Sequence, residues 1–297
     1  MSIAIVANPC AGRGRGFKTA QRLENFLRER NVDYQMFFTE RPNHATELAQ
    51  QAAKKHSVVV ALGGDGTITE VLEGIWQSSA HLGIIPAGTG NDYARGLQLP
   101  FDPMKALEVI LQGYSTKIDV GVDRDKVFGV LASIGFPVTV IEYVNQCRDS
   151  SWLRGPLAIL GGVVQTLRSL KSFQAQVTID GNQYDVTTVG ILVMNMPYGG
   201  GGLKFAPQAK YDDGLLTVVV IEDVTRFDLA KSLPLVYSGK HVNHSKVKFY
   251  QGKSISIDIL DQLPKMFDGE IRWNTPLTID IQPMATSVIV PTPKEHI

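Results

Sequence analysis

Gly63-Gly64-Asp65-Gly66-Thr67 stands between a run of branched apolar residues, Val58 to Leu62, and a stretch that places Ile68, Val71, Leu72 and Ile75 on one helical face. Consecutive glycines let backbone N–H groups turn toward an anion without Cβ interference. The helix that follows would present its positive N-terminal end to the same place. Such a turn suits the phosphates of a nucleoside triphosphate. Asp65 cannot attract phosphate, because like charges repel, and reads as orienting a metal or a polar group. The structural reading is a plain strand–turn–helix link in which Thr67 starts the helix and pairs with Glu70 as a capping box.

Pro86-Ala87-Gly88-Thr89-Gly90-Asn91-Asp92 repeats the arrangement after the next apolar run, Leu82 to Ile85. Thr89 offers a hydroxyl to a phosphate oxygen, and Asn91 reads as the N-cap of a short helix. A third turn, Asn8-Pro9-Cys10-Ala11-Gly12-Arg13-Gly14-Arg15-Gly16, follows the apolar run Ile3 to Ala7. It is not the G-x-G-x-x-G of dinucleotide folds. It is not a Walker A loop either, since Phe17 stands where the second glycine must be. Arg13, Arg15 and Lys18 can neutralise phosphates there, or serve as solvated charges at a helix start.

The C-terminal half carries weaker signals. In Phe267-Asp268-Gly269-Glu270 the Asp-Gly pair is a hairpin signal, while a catalytic reading makes Glu270 or Asp268 the base for an acceptor hydroxyl. Four glycines, Gly199 to Gly202, precede Lys210, Asp213, Gly214 and Leu215. Asp213 with nearby carbonyls suits a hard cation held by oxygen. Alternatively, Asp213-Gly214 is a type I′-like turn. The six histidines show no zinc-ligand spacing, and no Ser-His-Asp arrangement can be inferred. Trp152, Leu153, Arg154, Leu157, Leu160, Arg168 and Lys171 read either as a membrane-facing amphipathic segment or, preferred for its glycines, as a packing helix.

These residues need a frame. Apolar strands at 3–7, 34–38, 58–62 and 82–85 alternate with helical patterns, and Asp102-Pro103 caps the helix that runs to Leu111. This rhythm implies a parallel sheet covered on both faces, with ligands beyond the strands' carboxyl ends. All three glycine turns fall there. Lys117–Val122 and Lys126–Ile134 read as strands, and helical patterns follow near 137–147 and 153–170. After Ser172 come strands with Asp-Gly turns at 180, 213 and 268 and one helix over Thr225–Leu233, which suggests an antiparallel sandwich or open barrel. The last four residues read as a frayed end.

Length and charge narrow the class. A chain of 297 residues suggests two domains, and equal numbers of acidic and basic residues, 29 each, argue against a nucleic-acid partner. Two cysteines, Cys10 and Cys147, form no disulfide framework and suit a reducing cytoplasm. The N-terminus lacks a signal-peptide pattern, and the longest apolar stretch, 155–164, is too short to span a bilayer. A cytoplasmic protein is therefore expected, and whether it also makes peripheral contact with a membrane is open. Its oligomeric state is open between monomer and homodimer.

Gly63–Thr67 and Pro86–Asp92, preceded by Asn8-Pro9-x-Ala11-Gly12, resemble the diacylglycerol kinase catalytic domain, closest to the bacterial soluble lipid kinases related to sphingoid-base kinases. The likeness covers nearly the whole chain. It implies an N-terminal α/β nucleotide domain like those of NAD kinases and phosphofructokinases, at 1–122 with a returning segment at 287–297. It also implies a C-terminal antiparallel β-sandwich domain for the lipid, at 123–286. ATP and Mg²⁺ are the implied cofactors. ATP would contact Asn8, Pro9, Cys10, Ala11, Gly12, Thr39, Gly63, Gly64, Asp65, Gly66, Thr67, Ile68, Thr69 and Thr89. A structural magnesium would sit on the Lys210 carbonyl, Asp213 and the Leu215 carbonyl. Glu270 would be the active-site carboxylate with Asp268 beside it, and Asp65 is the rival. Cys10 stands where the family commonly has serine, and Thr69 where asparagine is usual.

The expected activity is γ-phosphoryl transfer from ATP to a lipid hydroxyl, with diacylglycerol first and phosphatidylglycerol, a sphingoid base or a prenyl alcohol as alternatives. An NAD-kinase-like enzyme is disfavoured by Gly88-Thr89-Gly90-Asn91-Asp92. A non-enzymatic nucleotide sensor is disfavoured by the acids at 65, 213, 268 and 270, which binding alone does not require.

Overall fold

The computed structural model describes residues 2–124, 126–147, 156–260, 262–272 and 276–293. Trp152, Leu153, Arg154 and the expected frayed end at 294–297 lie outside the described residues, as does the side chain of Leu160. The chain divides into two compact units, Met1–Asp119 with Met284–Ile297, and Val120–Pro283.

The first unit alternates strand and helix. It contains β1 (Ile3–Ala7), α1 (Ala11–Glu29), β2 (Tyr34–Phe38), α2 (His44–Ala52), β3 (Val58–Gly63), α3 (Asp65–Ile75), β4 (His81–Pro86), α4 (Asp92–Gly96), α5 (Pro103–Gln112) and the start of β5 (Ser115–Asp123). The parallel order is β4-β3-β1-β2. Strands β1 and β3 are buried at every position, as expected when helices cover both faces of a parallel sheet. β2 is the edge and is only partly buried. The end of β15 (Leu277–Ile289) adds a parallel strand beside β4, pairing Ser287 with His81. Asp102 caps α5 as expected, its Oδ1 accepting from Met104 N and Lys105 N at 3.0 Å.

The second unit is antiparallel. It holds β6 (Lys126–Phe128), β7 (Leu131–Gly135), α6 (Phe136–Gln146), α7 (Pro156–Thr166), β8 (Phe173–Ile179), β9 (Asn182–Met194), β10 (Leu216–Glu222), α8 (Arg226–Ser238), β11 (Val247–Gly252), β12 (Ser254–Ile259), β13 (Lys265–Phe267) and β14 (Glu270–Arg272). Its strands run β14-β13-β7-β9-β8-β12-β15, and β10 joins β9 to β11. The stretch expected as one strand from 126 to 134 is two, broken at Gly129 and Val130. The helix expected at 225–233 runs on through Pro234 to Ser238. Thr225 does cap it, its Oγ1 accepting from Asp228 N at 3.1 Å.

β9 shows how burial follows pairing. Over 182–187 it lies against β8 and alternates in exposure, whereas Val189–Met194, held between β7 and β10, is buried throughout. Phe128, Ile134, Val177, Val193, Val218, Ile257 and Phe267 close the core inside these strands. A smaller apolar cluster of Phe136, Val140 and Val163, with Leu229 and Leu233 against it, joins α6, α7 and α8. α7 is thus packed on its inner side, and Leu157 is exposed on it.

Two of the three Asp-Gly turns have the geometry expected for them. Asp180-Gly181 and Asp268-Gly269 both have positive φ at both residues, the requirement of a type I′ hairpin. At Asp213-Gly214 only the glycine does, with φ +71°. That turn is not type I′, because it ends a run of turns leading into β10 rather than joining two paired strands.

Candidate active site

The parallel strands end level with one another. Ala7 lies opposite both Phe38 and Leu62, and Gly63 opposite Pro86. The ladder continues one residue further: Thr39 N donates to Ala7 O at 2.9 Å, Asn8 N to Leu62 O at 2.9 Å and Ala87 N to Gly63 O at 2.7 Å. The three glycine turns and Thr39 therefore leave the sheet side by side.

Asn8 ties the first turn to the second. Its Nδ2 donates to Thr67 Oγ1 at 3.1 Å, and its Oδ1 accepts from Cys10 N at 3.0 Å. Beyond it Gly12, Arg13 and Gly14 all take left-handed conformations inside the first turn of α1. A Cβ on Gly12 would stand 2.5 Å from the Ala87 carbonyl oxygen. The second and third turns touch backbone to backbone: a Cβ on Gly88 would meet the Gly64 Cα at 2.5 Å. All three turns converge.

The structure corrects three local assignments. α3 starts at Asp65, with Gly64 as its cap, and not at Thr67. The Thr67–Glu70 capping box does not form, because Thr67 faces Asn8 and Glu70 Oε2 accepts from Ala45 N at 3.0 Å, at the start of α2. Asn91 sits at the N-cap of α4 in a left-handed conformation but caps nothing with its side chain. It braces the turn instead, its Oδ1 accepting from Gly88 N at 3.0 Å. The free N–H end of α4 is met by Asp65, whose Oδ1 accepts from Tyr93 N at 3.3 Å.

Asp65 is thus part of the brace between turns. Cys10, Gly66 and Thr89 are exposed, and Asn8, Pro9, Gly12, Thr39, Gly64 and Asp65 half-buried. Ala11, Gly63, Thr67, Ile68 and Thr69 are buried. The Ile68 side chain lies in the core, and the Thr69 hydroxyl bonds the buried Tyr93 hydroxyl at 3.1 Å. Both side chains are engaged within the unit, and the Ile68 N–H donates to the Gly64 carbonyl at 3.1 Å.

In the second unit Asp268 and Glu270 lead different lives. The Asp268 carboxylate accepts from Gly129 N, Val130 N and Leu131 N at 3.0, 3.1 and 2.8 Å. It pins the break between β6 and β7, and its oxygens are occupied. Hydrogen bonds to a charged acceptor contribute about 1.5–3 kcal/mol each. Asp268→Ala is therefore expected to destabilise the protein by about 3 kcal/mol in urea unfolding. Asp268→Asn, which tolerates positive φ and keeps one acceptor oxygen, is expected to cost clearly less.

Glu270 faces cations. Lys126 Nζ lies 2.6 Å from its Oε2, and an Arg272 terminal nitrogen 2.9 Å from its Oε1. Glu270 and Arg272 stand two apart on β14 and so share a face. Burial pushes the Glu270 carboxyl up, but the Lys126 ammonium and then Arg272 outweigh it and hold the group below the ordinary glutamate value of 4.5. Since the folded pKa is the lower one, these pairs stabilise the fold at neutral pH. That contribution is lost as pH falls from 4.5 through the depressed value. Next to them Asp123 and Lys265 form an ion pair whose side chains are only 3% and 5% exposed. The sequence reading missed Asp123, Lys126, Lys265 and Arg272. The i, i+2 spacing of Glu270 and Arg272 was the available signal.

Among the described residues no group of three or more His, Cys, Asp or Glu is placed to hold a metal. The expected magnesium ligands use one carboxylate and two carbonyls. Lys210, Asp213 and Leu215 lie on irregular backbone, outside helix and strand, and Asp213 is exposed, with its Oδ1 accepting from Leu215 N at 3.1 Å. This donor set, all oxygen on irregular backbone, fits a hard cation.

Comparison with known proteins agrees with this arrangement. The family described as diacylglycerol kinase catalytic domain matches residues 2–122, and the YegS C-terminal NAD kinase beta sandwich-like domain matches residues 130–290. A diacylglycerol kinase of Staphylococcus haemolyticus (strain JCSC1435) is 31% identical over 275 residues, which is 92% of this chain and 83% of the relative. Another from Staphylococcus aureus (strain MRSA252) is 31% identical over 275 residues, 92% of this chain and 87% of the relative. The crystal structure of a diacylglycerol kinase from Bacillus anthracis strain Sterne superposes with a TM-score of 0.79 at 26% identity, covering 97% of this chain and 96% of that one. No described helix is long and apolar enough to cross a membrane. With both halves matched and the glycine turns meeting at the sheet's carboxyl edge, the chain belongs to the diacylglycerol kinase family of ATP-using lipid kinases.

Proposed function

We propose that this chain transfers the γ-phosphoryl group of ATP to the hydroxyl of diacylglycerol presented at a membrane surface. The single observation that carries the first half of this reading is the convergence of three glycine turns, held together by Asn8 and Asp65, at the level ends of four parallel strands. The choice of diacylglycerol is supported by the names of the curated relatives. Residues 1–122 with 287–297 hold the nucleotide, and residues 123–286 take the lipid.

Phosphoryl transfer depends more on positioning and charge neutralisation than on covalent chemistry. The turns at 8–12, 63–69 and 87–89 cradle the phosphates, with Thr89 offering its hydroxyl and Thr39 lying beside them. Magnesium, when bound, supplies neutralisation of phosphate charge, and the Asp213 carboxylate with the Lys210 and Leu215 carbonyls would hold a structural ion. Glu270 accepts the proton of the acceptor hydroxyl. Asp65 and Asp268 are braces in this scheme, since each is bonded to backbone N–H groups of a neighbouring turn.

The test is transfer of ³²P from labelled ATP to diacylglycerol, phosphatidylglycerol, a sphingoid base and a prenyl alcohol in mixed micelles, and to NAD in solution, with Mg²⁺ and then with EDTA. Labelled phosphatidic acid, lost with EDTA, is the expected product. Label on another acceptor alone, or no label despite ATP binding, overturns the assignment.

A further inference from the structure

We infer that Lys126, together with Arg272, is a positioning residue for the reaction: the two clamp Glu270 as an unprotonated carboxylate and force it to return to water the proton it takes from the acceptor hydroxyl. The inference rests on the reading of Glu270 as the base.

Lys126 begins β6 directly opposite Asp123 on β5. Its side chain is only 8% exposed, and a buried ammonium needs a counter-charge. Asp123 is engaged by Lys265, which also donates to the Pro276 carbonyl at 3.2 Å. Lys265 in turn lies opposite Arg272 in the β13–β14 hairpin. Both strand pairs therefore deliver charge to one place. Among the described residues, three cations, Lys126, Lys265 and Arg272, stand with two carboxylates, Asp123 and Glu270. The nearby Asp268 carboxylate is turned onto the backbone of 129–131.

Protonating Glu270 leaves one carboxylate among three cations, so the cluster opposes it. Stoichiometrically, the acceptor oxygen forms its bond to the γ-phosphorus while the bond from that phosphorus to the β–γ bridging oxygen breaks. ADP leaves with that electron pair, and the hydroxyl proton passes to Glu270. Glu270 is 40% exposed, which gives the proton a route to solvent. A base held in this way orients the hydroxyl and takes its proton late, which suits a loose phosphoryl transition state. It also stays ionised, and thus competent, at pH values where an ordinary glutamate would begin to fail.

The measurement is kcat for diacylglycerol phosphorylation in mixed micelles across pH, for wild type, Lys126→Met, Lys126→Arg, Arg272→Met and Glu270→Gln, with urea unfolding of each. Removing an opposite charge at this distance shifts a carboxyl by about one unit or more. Lys126→Met is expected to move the acid limb of kcat upward by about that amount with KM for ATP unchanged. Lys126→Arg, which keeps the cation, is expected to restore the limb. Arg272→Met, on a more exposed partner, is expected to shift it in the same direction and covers the case in which Lys126→Met does not fold. A folded Lys126→Met, or Arg272→Met if that one alone folds, with the wild-type limb overturns the inference while leaving Glu270 as base if Glu270→Gln is inactive. A Glu270→Gln variant with wild-type rate removes the base reading and this inference together.

Discussion

Glu270→Gln is expected to lower kcat about a thousandfold while leaving the dissociation constant for ATP unchanged. The substitution keeps the size of the side chain and one acceptor oxygen, so Lys126 still has a hydrogen-bond partner. What it removes is the negative charge and the capacity to take a proton. General bases contribute roughly 10²–10⁴ in rate, which sets the expected loss. ATP affinity should not follow, because the turns proposed to hold the nucleotide are those at 8–12, 63–69 and 87–89, and Glu270 makes no part of them. Isothermal titration with a non-hydrolysable ATP analogue, beside steady-state rates, separates the two. Asp268→Asn serves as the contrast. Two residues away on the same hairpin, it is expected to change unfolding free energy more than the rate, because its oxygens hold backbone N–H groups. If Glu270→Gln keeps wild-type turnover, or if Asp268→Asn is the inactive variant of a stably folded pair, the assignment of roles is wrong.

The parallel sheet was legible because its strands are buried on both faces. Ile3–Ala7 and Val58–Leu62 are unbroken apolar runs, and glycines punctuate their ends. The turns themselves were legible as phosphate-binding candidates from their glycines alone. Their bracing was not. Asp65 caps a helix that begins 27 residues later, and Glu70 caps one that begins 26 residues earlier. No local pattern records such pairings, so Glu70 was assigned to Thr67 and Asp65 to a metal or a polar group. The Thr67–Glu70 spacing satisfied a local rule that tertiary contacts overrode. The second unit was harder for the same reason. Asp268-Gly269 reads as a hairpin in any sequence, but the destination of the carboxylate, 137 to 139 residues away, depends on β13 pairing with β7. The ion pair of Glu270 with Arg272 is local to β14, but the one with Lys126 requires the β5–β6 and β13–β14 pairs to come together. Pairing of that kind joins strands far apart in the chain, and no local pattern records which strand will lie beside which.

Gly88→Ala carries the second large effect, because it tests whether the convergence of turns is itself the binding device. The new methyl would stand 2.5 Å from the Gly64 Cα and 2.9 Å from Asn91 Oδ1. The first neighbour is backbone and has nowhere cheap to go, since Gly63 is fixed in the ladder to β4. The second is the oxygen that already accepts from Gly88 N. Overpacking of this kind costs about 1–3 kcal/mol. If that strain falls on the turn geometry, KM for ATP should rise about tenfold or more, and unfolding free energy should fall as well. Gly66→Ala separates the two consequences. A Cβ there meets no protein atom within 4 Å, so stability should hold. Its exposed position in the same turn means that an added methyl obstructs only what approaches from solvent. A rise in KM for ATP in both variants, with loss of stability in Gly88→Ala alone, would place the phosphates over the second turn. Unchanged ATP kinetics in both would mean that the nucleotide binds elsewhere, whatever the glycines suggest.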